Sequence, residues 1–487
     1  MKIEISYRSV ARVLGQLLLV EGALLLVPLV LEILDREPGW RGFVAGAVIA
    51  LGGGAVMWRR FRHTPLTLRR REGFMLVSFG WIIFSLIGML PFMFCAHPLS
   101  AADAFFETVS GFTTTGATTI ADVEVLSKGV LLWRSMIQWI GGLGILLFML
   151  AVLPSLNDGS GLSVYNAEVT GITHDKLRPR IRYTANCLWA LYGVLTLVLM
   201  LLLWAGPMSF FDSVCHAMTA ISTGGFSTRN ASIAYWHSDY VTGVLTVFMF
   251  VGGVNFALLY GAWKGDWRSL WRNDVLRAYV LIVVLAYLAF LVTLLVEGRA
   301  DTVSHWLFDP LFHVVSTITT TGYTLADFSA WGTFALLLTF LLMLSGACAG
   351  STTGAIKVDR LLALTRNLNN EVKRSVAPKR MYVVRVNGRV VPDEDMARIS
   401  AFITIYGVLI VIGALIVTAY GISLDDAFFA VISCVGNNGL GYGLTGAAGG
   451  YHLLPDAVKW VLSLMMLTGR LELFSVLVLF FGIFWRR

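Results

Sequence analysis

The chain has 487 residues, of which 57% are hydrophobic and only 14% charged, and its formal net charge is +7. Soluble domains carry nearer a quarter charged residues, so this composition favours a membrane protein over a soluble one. A basic chain can bind nucleic acid, but the positive charges here lie in short segments between apolar runs, which excludes that class.

Ten apolar runs predict membrane-spanning helices, because a helix needs roughly 20 apolar residues to cross a bilayer. The first run is too long for a secretory signal, contains Glu21 and lacks a small-residue cleavage site, so we expect a retained helix. The second run is slightly short, and the eighth is shorter still. In chain order the runs are Val13–Leu34, Phe43–Trp58, Phe74–Cys95, Val130–Leu153, Leu188–Trp204, Tyr240–Trp263, Ala278–Val296, Trp331–Ser345, Ile399–Tyr420 and Val458–Trp485.

The basic segments predict the orientation of the chain in the membrane. If the ten runs alternate in direction, all of these segments fall on one side. The positive-inside rule makes that side the cytoplasm, so both termini are expected there. The segments are Lys2–Arg12, Arg59–Arg71, Lys176–Arg182, Lys264–Arg277 and Lys357–Arg398, together with Arg486 and Arg487.

The segments that join four later pairs of runs share one pattern of small polar residues around a glycine. They read VSGFTTTGATT, TAISTGGFSTRN, STITTTGYTLAD and SCVGNNGLGYG. When they are aligned on that glycine, each has an aspartate thirteen residues earlier, although acids are scarce in this chain. The shared register predicts a fourfold internal repeat. The glycines are Gly116, Gly225, Gly322 and Gly439, and the aspartates are Asp103, Asp212, Asp309 and Asp426.

Each copy of the repeat is predicted to contain a helix, a short helix, a loop and a second helix. Aspartate is a good N-cap, and its charge suits a helix N-terminus, so a short helix is expected to begin at each aspartate. Pro310 follows Asp309 directly, as expected at the first helical position. Each short helix should end just before its Thr- and Gly-rich stretch.

The four loops are predicted to surround one axis. Irregular backbone at membrane depth must be buried in protein or line a water-filled cavity. Carbonyl groups of the loops and the partially negative C-terminal ends of the short helices then face the axis, which favours a dehydrated monovalent cation. Taken singly, each segment would also fit an ordinary polar outer loop; the register of all four favours the pore.

Four further strings, taken together with the loops, carry a specific resemblance over nearly the whole chain. They are WRSMIQWIGGLG (Trp133–Gly144), GACAGSTTGAIKV (Gly346–Val358), VNGRVVPDE (Val386–Glu394) and GRLELF (Gly469–Phe474). The sequence resembles the membrane subunit of the Trk/Ktr/HKT potassium transporter superfamily, and most of all its bacterial TrkH/TrkG branch.

The resemblance implies an all-α polytopic membrane protein, with two extra transmembrane helices before four pseudo-symmetric helix–pore-loop–helix repeats around one central pore. The corresponding divisions are 1–72, 73–183, 184–277, 278–398 and 399–487. It also implies K+ uptake across the bacterial inner membrane without enzymatic activity, and K+ as the transported ion with no bound cofactor. The expected partners are a second copy in a homodimer and a cytosolic, nucleotide-binding, TrkA-like regulatory subunit.

The family's selectivity filter maps onto three residues of each loop. In this superfamily a serine at the first-loop glycine goes with sodium permeation, so Gly116 implies potassium. The second glycine of potassium-channel filters is replaced by Thr118, Ser227 and Thr324 and is present only as Gly441. The implied filter residues are Thr114, Thr115, Gly116, Thr223, Gly224, Gly225, Thr320, Thr321, Gly322, Asn437, Asn438 and Gly439.

A gate is predicted where the apolar run of the third copy breaks at Gly346–Gly354. Interrupted helices are pointers to ion sites and moving parts, whereas the matching strings IGGLG and VGGVN of copies one and two are expected to continue as long apolar runs. In the family this loop lies under the filter and blocks the inner pore; a helix kink for close packing is the alternative. The implied gate residues are Gly346, Gly350, Ser351, Thr352, Thr353, Gly354, Lys357 and Arg470.

Charged and polar residues inside the apolar runs are candidates for function or support. The family pattern places Arg470 in the pore below the filter as a barrier to cations; the alternative is a structural ion pair, for which Glu472 would point elsewhere on a helix. Arg134 and Gln138 lie one turn apart and are expected to hold a pore loop from behind. His216 and His313 occupy matching positions and are expected to be hydrogen-bonded behind the filter.

The longest polar stretch, Lys357–Arg398, predicts a cytosolic hairpin. Apolar and polar residues alternate around Asn387-Gly388, a strong hairpin signal, and Pro392 and Asp393 should begin the next helix. This basic hairpin could dock either the regulatory partner or anionic lipid.

Two other functions are alternatives to K+ uptake through a gated filter. A proton- or sodium-coupled potassium symporter would be favoured by an ionisable pair at mid-membrane, and the family is described both as channels and as symporters. An intramembrane enzyme would need paired acids or a nucleophile and base at one depth, and the sequence offers none. Five cysteines without paired spacing predict neither disulfides nor a metal site, apart from potassium at the filter.

Overall fold

The computed structural model describes residues 5–65, 68–144, 181–297, 303–446 and 449–485. Over these ranges the chain is mainly helical, and the sheet that they contain is one two-stranded hairpin. Residues 145–180 lie outside the described residues, and they include the end of the run Val130–Leu153 and most of the basic segment Lys176–Arg182. Lys2, Arg486 and Arg487 also lie outside them.

Two long helices at the N-terminus, Tyr7–Leu34 and Trp40–Phe61, pack tightly against each other. Glycines lie at their contact: a Cβ at Gly54 would come within 2.7 Å of the carbonyl oxygen of Gly15. Small residues allow helices to approach closely in a membrane, where packing rather than water exclusion drives association. The expected helix at the N-terminus is thus present, with Glu21 buried inside it.

One order of helices then recurs four times: a first helix, a short helix, a loop and a second helix. We number these groups unit one to unit four. The first helices are Arg70–Gly88, Ile181–Trp204, Asp274–Glu297 and Asp393–Thr418. The short helices are Ala101–Phe112, Phe210–Ile221, Val303–Ile318 and Leu424–Gly436. The second helices are Lys128–Gly142, Asp239–Gly252, Thr333–Ser345 and Asp456–Arg470.

Shorter elements complete the described chain. The α-helices among them are Leu90–Met93, Phe256–Trp263, Trp267–Arg272, Val358–Val376, Phe474–Leu477 and Gly482–Trp485. Turns of 3-10 helix lie at Ser232–Trp236, Phe328–Trp331, Gly443–Thr445, Tyr451–Leu453 and Val478–Phe480.

The aspartates of units one, two and four are the third residues of their short helices, so the prediction that they are N-caps is wrong. A serine three residues earlier caps each helix by accepting a hydrogen bond from the aspartate N–H, and its hydroxyl donates to the aspartate carboxylate. Serine and aspartate are both good caps, and this reciprocal arrangement uses both at once. The pairs are Ser100 and Asp103, Ser209 and Asp212, and Ser423 and Asp426.

Unit three departs further, because its short helix begins at Val303 and has Asp309 and Pro310 in its interior. The prediction that Asp309 caps this helix and that Pro310 is its first residue is therefore wrong. The apolar residues before Asp309 continue the helix, and proline is tolerated inside helices at membrane depth where neighbouring groups satisfy the freed carbonyl.

The second helices are short because each one ends or bends about halfway along its apolar run. Among the described residues, six helices are long and apolar enough to cross a membrane, or up to eight if two bent pairs each count as one span. The bends are 103° between Asp239–Gly252 and Phe256–Trp263 and 112° between Asp456–Arg470 and Phe474–Phe480. The second helix of unit one ends at Gly142, where the described range soon ends.

The prediction that VGGVN continues a long apolar run is therefore wrong for unit two. Asn255 stops the first segment and caps the next one, since its side-chain oxygen accepts hydrogen bonds from the N–H groups of Ala257 and Leu258. In unit one, IGGLG also ends its helix, and Gly144 has a left-handed backbone with φ of 91°. Breaks thus recur throughout, although only the Gly-rich break of unit three was evident from composition.

The predicted hairpin forms from strands Arg385–Val386 and Arg389–Val390. Asn387 and Gly388 both have positive φ, as this tight turn requires. Its turn is attached to the start of the first helix of unit three, because Asp274 and Asn387 exchange hydrogen bonds of 2.6 and 3.1 Å. The next helix begins at Asp393, directly after Pro392, as predicted.

Candidate functional site: a ring of four loops

The four loop glycines lie side by side in a closed ring. A Cβ added to any of them would overlap the carbonyl oxygen of the residue before the glycine in the next loop. The order of these contacts runs from loop one to two, three, four and back to one, so the loops surround a single axis. The contacts are Gly116 with Gly224, Gly225 with Thr321, Gly322 with Asn438, and Gly439 with Thr115.

All four loops have the same unusual backbone. The residue two before each glycine has φ between 52° and 55°, and the glycine itself has φ between 79° and 83°. Positive φ is strained for threonine, and such strain persists where the surroundings fix the backbone, as at ligand sites. The strained residues are Thr114, Thr223, Thr320 and Asn437.

Hydrogen bonds explain how this backbone is held. The residue just before each glycine turns its N–H back to a carbonyl near the end of its own short helix, at 2.8 to 2.9 Å. These N–H groups are therefore hydrogen-bonded within their own units, and the carbonyl groups of the loops remain available to face the axis. The pairs are Thr115 with Ser110, Gly224 with Thr219, Thr321 with Ser316, and Asn438 with Ser433.

Side chains of the ring tie neighbouring loops together. Asn437 donates to the Thr115 hydroxyl at 3.0 Å, and Asn438 donates to the carbonyl oxygen of Thr317 at 2.7 Å. The two asparagine amides of loop four therefore link it to loop one and to the short helix of unit three. The ring contains every residue that the resemblance assigned to the filter.

Arg134 and Gln138 hold loop two from behind, which confirms the prediction from their one-turn spacing. The Arg134 guanidinium donates to the Ser227 carbonyl oxygen at 3.1 Å. Gln138 donates to the Gly224 carbonyl oxygen at 2.6 Å and accepts from the Phe226 N–H at 3.1 Å.

Glu107 is a supporting residue that sequence reasoning missed. Its carboxylate forms a buried ion pair of 2.8 Å with Arg134 and accepts hydrogen bonds from Thr118 and from the N–H of Thr119. The available signal was an acid four residues after Asp103 on an otherwise apolar short helix, facing a loop that needs acceptors. Its partner could not be identified because Arg134 is far along the chain.

Lys459 was also missed, and it links units four and one through ion pairs. Its ammonium lies 2.6 Å from Asp103 and 3.4 Å from Asp456, and its side chain is only 4% exposed. The aspartate that continues the serine cap of the first short helix is thus also the anchor of the fourth unit's second helix.

The two matching histidines are hydrogen-bonded behind the loops, as predicted. The His216 ring bonds to the Asp212 carbonyl oxygen at 2.8 Å and to the Ser227 hydroxyl at 3.0 Å. His313 bonds to the Thr339 hydroxyl at 2.9 Å. Both are buried, so they serve as packing and hydrogen-bonding groups.

The loop Gly346–Gly354 lies directly against the ring. The N–H of Gly354 donates to the Thr320 hydroxyl at 3.0 Å, and the Thr352 hydroxyl lies 3.1 Å from the Thr223 hydroxyl. The loop therefore touches the strained residues of loops two and three.

The bend of unit two holds the other side of this loop. The N–H groups of Phe256 and Cys348 donate to the carbonyl oxygens of Gly350 and Gly253, at 3.0 and 3.1 Å. Asn255 adds a side-chain hydrogen bond of 2.7 Å to the Ala349 carbonyl oxygen. Two broken helices from neighbouring units are thus joined at their breaks.

Arg470 bridges the loop and unit one. Its guanidinium donates to the carbonyl oxygen of Thr352 at 2.8 Å and to those of Gly141 and Gly142 at 2.6 and 2.7 Å. The last two carbonyls end the second helix of unit one, where the helix dipole favours a positive group. Arg470 therefore holds a positive charge against both the loop Gly346–Gly354 and the end of the second helix of unit one.

Glu472 lies in the bend after Arg470 and not on a helix, with φ of 53°, so its helical placement in the sequence analysis is wrong. Its carboxylate pairs with Lys357 at 3.0 Å and with Arg360. This pairing joins the end of the loop in unit three to the break in unit four. Asp359 lies beside the two cations, and its burial raises the pKa of its carboxyl, an effect that Arg360 and Lys357 oppose.

The chemistry of the ring suits a monovalent cation. Its residues are threonine, glycine and asparagine, which offer carbonyl and hydroxyl oxygens without formal charge. Neutral oxygens can replace the hydration shell of an alkali ion, whereas divalent ions are usually bound with carboxylates.

Comparison with known proteins agrees with this chemistry. The model of the TrkH family, described as cation transport protein, matches residues 41–486. The Trk system potassium uptake protein TrkH of Vibrio parahaemolyticus is 36% identical over 486 residues, covering 99% of each chain. The protein of the same name from Salmonella typhimurium is 34% identical over 485 residues, again covering 99% of each chain. TrkG of Escherichia coli is 33% identical over 98% of this chain and 99% of its own length.

A solved structure matches at the level of the fold. The crystal structure of the potassium transporter TrkH from Vibrio parahaemolyticus superposes with a TM-score of 0.90 at 33% identity. The match covers 99% of this chain and 100% of that chain. The predicted all-α membrane fold is thereby confirmed.

Proposed function

Because the chain belongs to the TrkH family of cation transport proteins, we propose that it takes up K+ across the bacterial inner membrane and that the ring of four loops is its selectivity filter. The observation that carries this proposal is the closed ring, in which each loop glycine lies against a carbonyl oxygen of the next loop. Such a ring can exchange an ion's hydration shell for protein oxygens.

The packing at Gly116 supports potassium as the preferred ion. A side chain at this position would overlap the Gly224 carbonyl oxygen and displace it from the ring. When the Gly224 carbonyl oxygen is held in place, the distances between the oxygens of the ring remain suited to K+, which is larger than Na+.

The loop Gly346–Gly354 is the proposed gate, and Lys357 and Arg470 are part of it. The loop touches the ring from within the membrane and is held by Arg470, so an ion leaving the ring meets both the loop and a positive charge. Opening requires the loop to move away from Thr223 and Thr320.

The regulatory subunit is proposed to act on the helix Val358–Val376, which begins where the gate loop ends. This helix is basic and also exposes apolar side chains, with Val372 66% and Val376 83% exposed. A TrkA-like cytosolic partner that binds this surface could therefore pull directly on the loop. The proposal includes the family's homodimer, with one pore per protomer, and cytoplasmic termini.

Rubidium uptake into liposomes tests the function. Liposomes that contain the purified protein should take up Rb+, K+ should compete strongly, and Na+ and Li+ should compete weakly. Equal competition by K+, Na+ and Li+ would contradict the filter. Uptake that requires a proton or sodium gradient would instead support the coupled symporter.

A further inference from the structure

Loop two lacks a side chain that the other three loops have. Just before the ring glycine, loops one, three and four have Thr115, Thr321 and Asn438, whereas loop two has Gly224. In loops one and three the threonine hydroxyl bonds to the hydroxyl two residues earlier, at 2.7 and 2.8 Å. Loop two has Ser222 at that earlier position, so its usual partner is present while the bonding side chain is missing.

Gln138 from unit one occupies the space that this side chain would fill. If a Cβ were added to Gly224, the three nearest atoms would be Cδ, Oε1 and Nε2 of Gln138. The Gln138 side chain is completely buried. Glycine is therefore required at position 224 because another unit supplies the atoms that pack there.

The Gln138 side-chain amide forms two hydrogen bonds, one on each side of Gly225. Nε2 donates to the Gly224 carbonyl oxygen and Oε1 accepts from the Phe226 N–H. Over the described part of the chain, the equivalent carbonyls of Thr115, Thr321 and Asn438 receive no side-chain hydrogen bond. Arg134, on the same face of this helix, also contacts loop two: its guanidinium lies 4.1 Å from the centre of the Phe226 ring.

We propose that Gln138 is a positioning residue that replaces the missing side chain of loop two and fixes the Gly224 carbonyl, and thereby contributes to the discrimination between K+ and Na+. This inference rests on the proposed function, because it assumes that the ring conducts the ion. If the proposal holds, the loop of unit two depends on a side chain of unit one, Gln138, for its shape.

Gln138→Ala in the full-length protein tests the inference. In liposomes, the ratio of Na+ to Rb+ uptake should rise about three- to tenfold, the effect expected for losing one or two hydrogen bonds that fix a carbonyl. Ser135→Ala is the matched control, since Ser135 is buried on the same helix and bonds to the Leu131 carbonyl oxygen of its own helix. The control should leave the ratio unchanged.

A compensating pair of substitutions gives the sharper result. Gly224→Thr alone should abolish uptake, because the new side chain overlaps Gln138. Gly224→Thr combined with Gln138→Ala should restore uptake and selectivity, since the added hydroxyl can bond to Ser222 as in loops one and three. Recovery of uptake alone would follow from relief of the overlap, so the return of the Na+ to Rb+ ratio to its original value is the result that supports the proposal.

If Gln138→Ala reduces the amount of folded protein, Gln138→Met separates packing from hydrogen bonding, because it fills the same space without an amide. A raised Na+ to Rb+ ratio in the methionine variant would support the proposal. An unchanged ratio in folded Gln138 variants, or a double variant no more active than Gly224→Thr, would overturn it. Absence of Rb+ uptake by the unsubstituted protein would contradict the proposed function itself.

Discussion

At the scale of single residues, one buried ion pair supports loops one and two of the ring. Arg134 and Glu107 are 2% and 0% exposed, and between them they bond to the backbone or side chains of loops one and two. Spacing alone predicted that Arg134 and Gln138 share a face, because helical geometry is local. Glu107 could not be paired with Arg134 from the sequence, because their contact depends on how two helices pack.

Arg134→Met should destabilise the protein by roughly 3–5 kcal/mol, because it leaves a buried carboxylate without its cation. The loss of stability is measured as the shift in the midpoint of thermal denaturation in detergent, with size-exclusion chromatography as the readout of folded protein. Adding Glu107→Gln should recover most of it, since the uncompensated charge is removed. Arg398→Met, which breaks the exposed pair with Asp395, is the control and should change little. Equal shifts for both arginine variants would contradict the argument.

At the scale of elements, the breaks in the second helices fix the position of the loop Gly346–Gly354, which we propose to be the gate. The Gly-rich string of unit three could be identified from composition, but the bends of units two and four could not. Asn255 stops its helix partly because the loop Gly346–Gly354 supplies a hydrogen-bond partner for it. Gly469 lets the unit-four helix approach the Val435 carbonyl oxygen, which a side chain would overlap. Such tertiary contacts are invisible to a hydropathy pattern.

Arg470→Ala should raise the rate of Rb+ uptake severalfold, because it removes both a positive charge beside the ion path and three hydrogen bonds, one of which holds the gate loop. Liposome uptake with and without the cytosolic partner measures the change. Arg470→Lys keeps the charge but not the forked geometry and should give a smaller increase. Loss of folded protein in both variants would show a structural role instead.

At the scale of the whole molecule, the distribution of charge defines two sides. The hairpin and the helix Val358–Val376 belong to the segment Lys357–Arg398, which contains ten of the 37 lysines and arginines of the chain. The fold class and the repeat could be predicted because hydropathy and register are properties of the chain. The predicted starts of three short helices were wrong by less than a turn, because a serine before each aspartate is the cap. The start of the third short helix was wrong by nearly two turns, because the residues before Asp309 continue the helix.

Labelling from each side of the membrane tests this orientation. In a Cys187→Ser background, where the other four cysteines are buried, Lys379→Cys should react with a membrane-impermeant maleimide only in inside-out vesicles. Val125→Cys, in the loop after the first short helix, should react only in right-side-out vesicles; Val125 is 46% exposed. The reverse pattern would place the basic segments outside the cell.

The circular contact of the loops has a consequence for how the protein is made. The ring closes only when Gly439 of the last unit meets Thr115 of the first, so the closed ring cannot exist until translation has nearly finished. A partly synthesised chain in the membrane therefore holds three loops with an open side. Because the ring needs the final unit, we expect that incompletely synthesised chains do not conduct ions across the membrane.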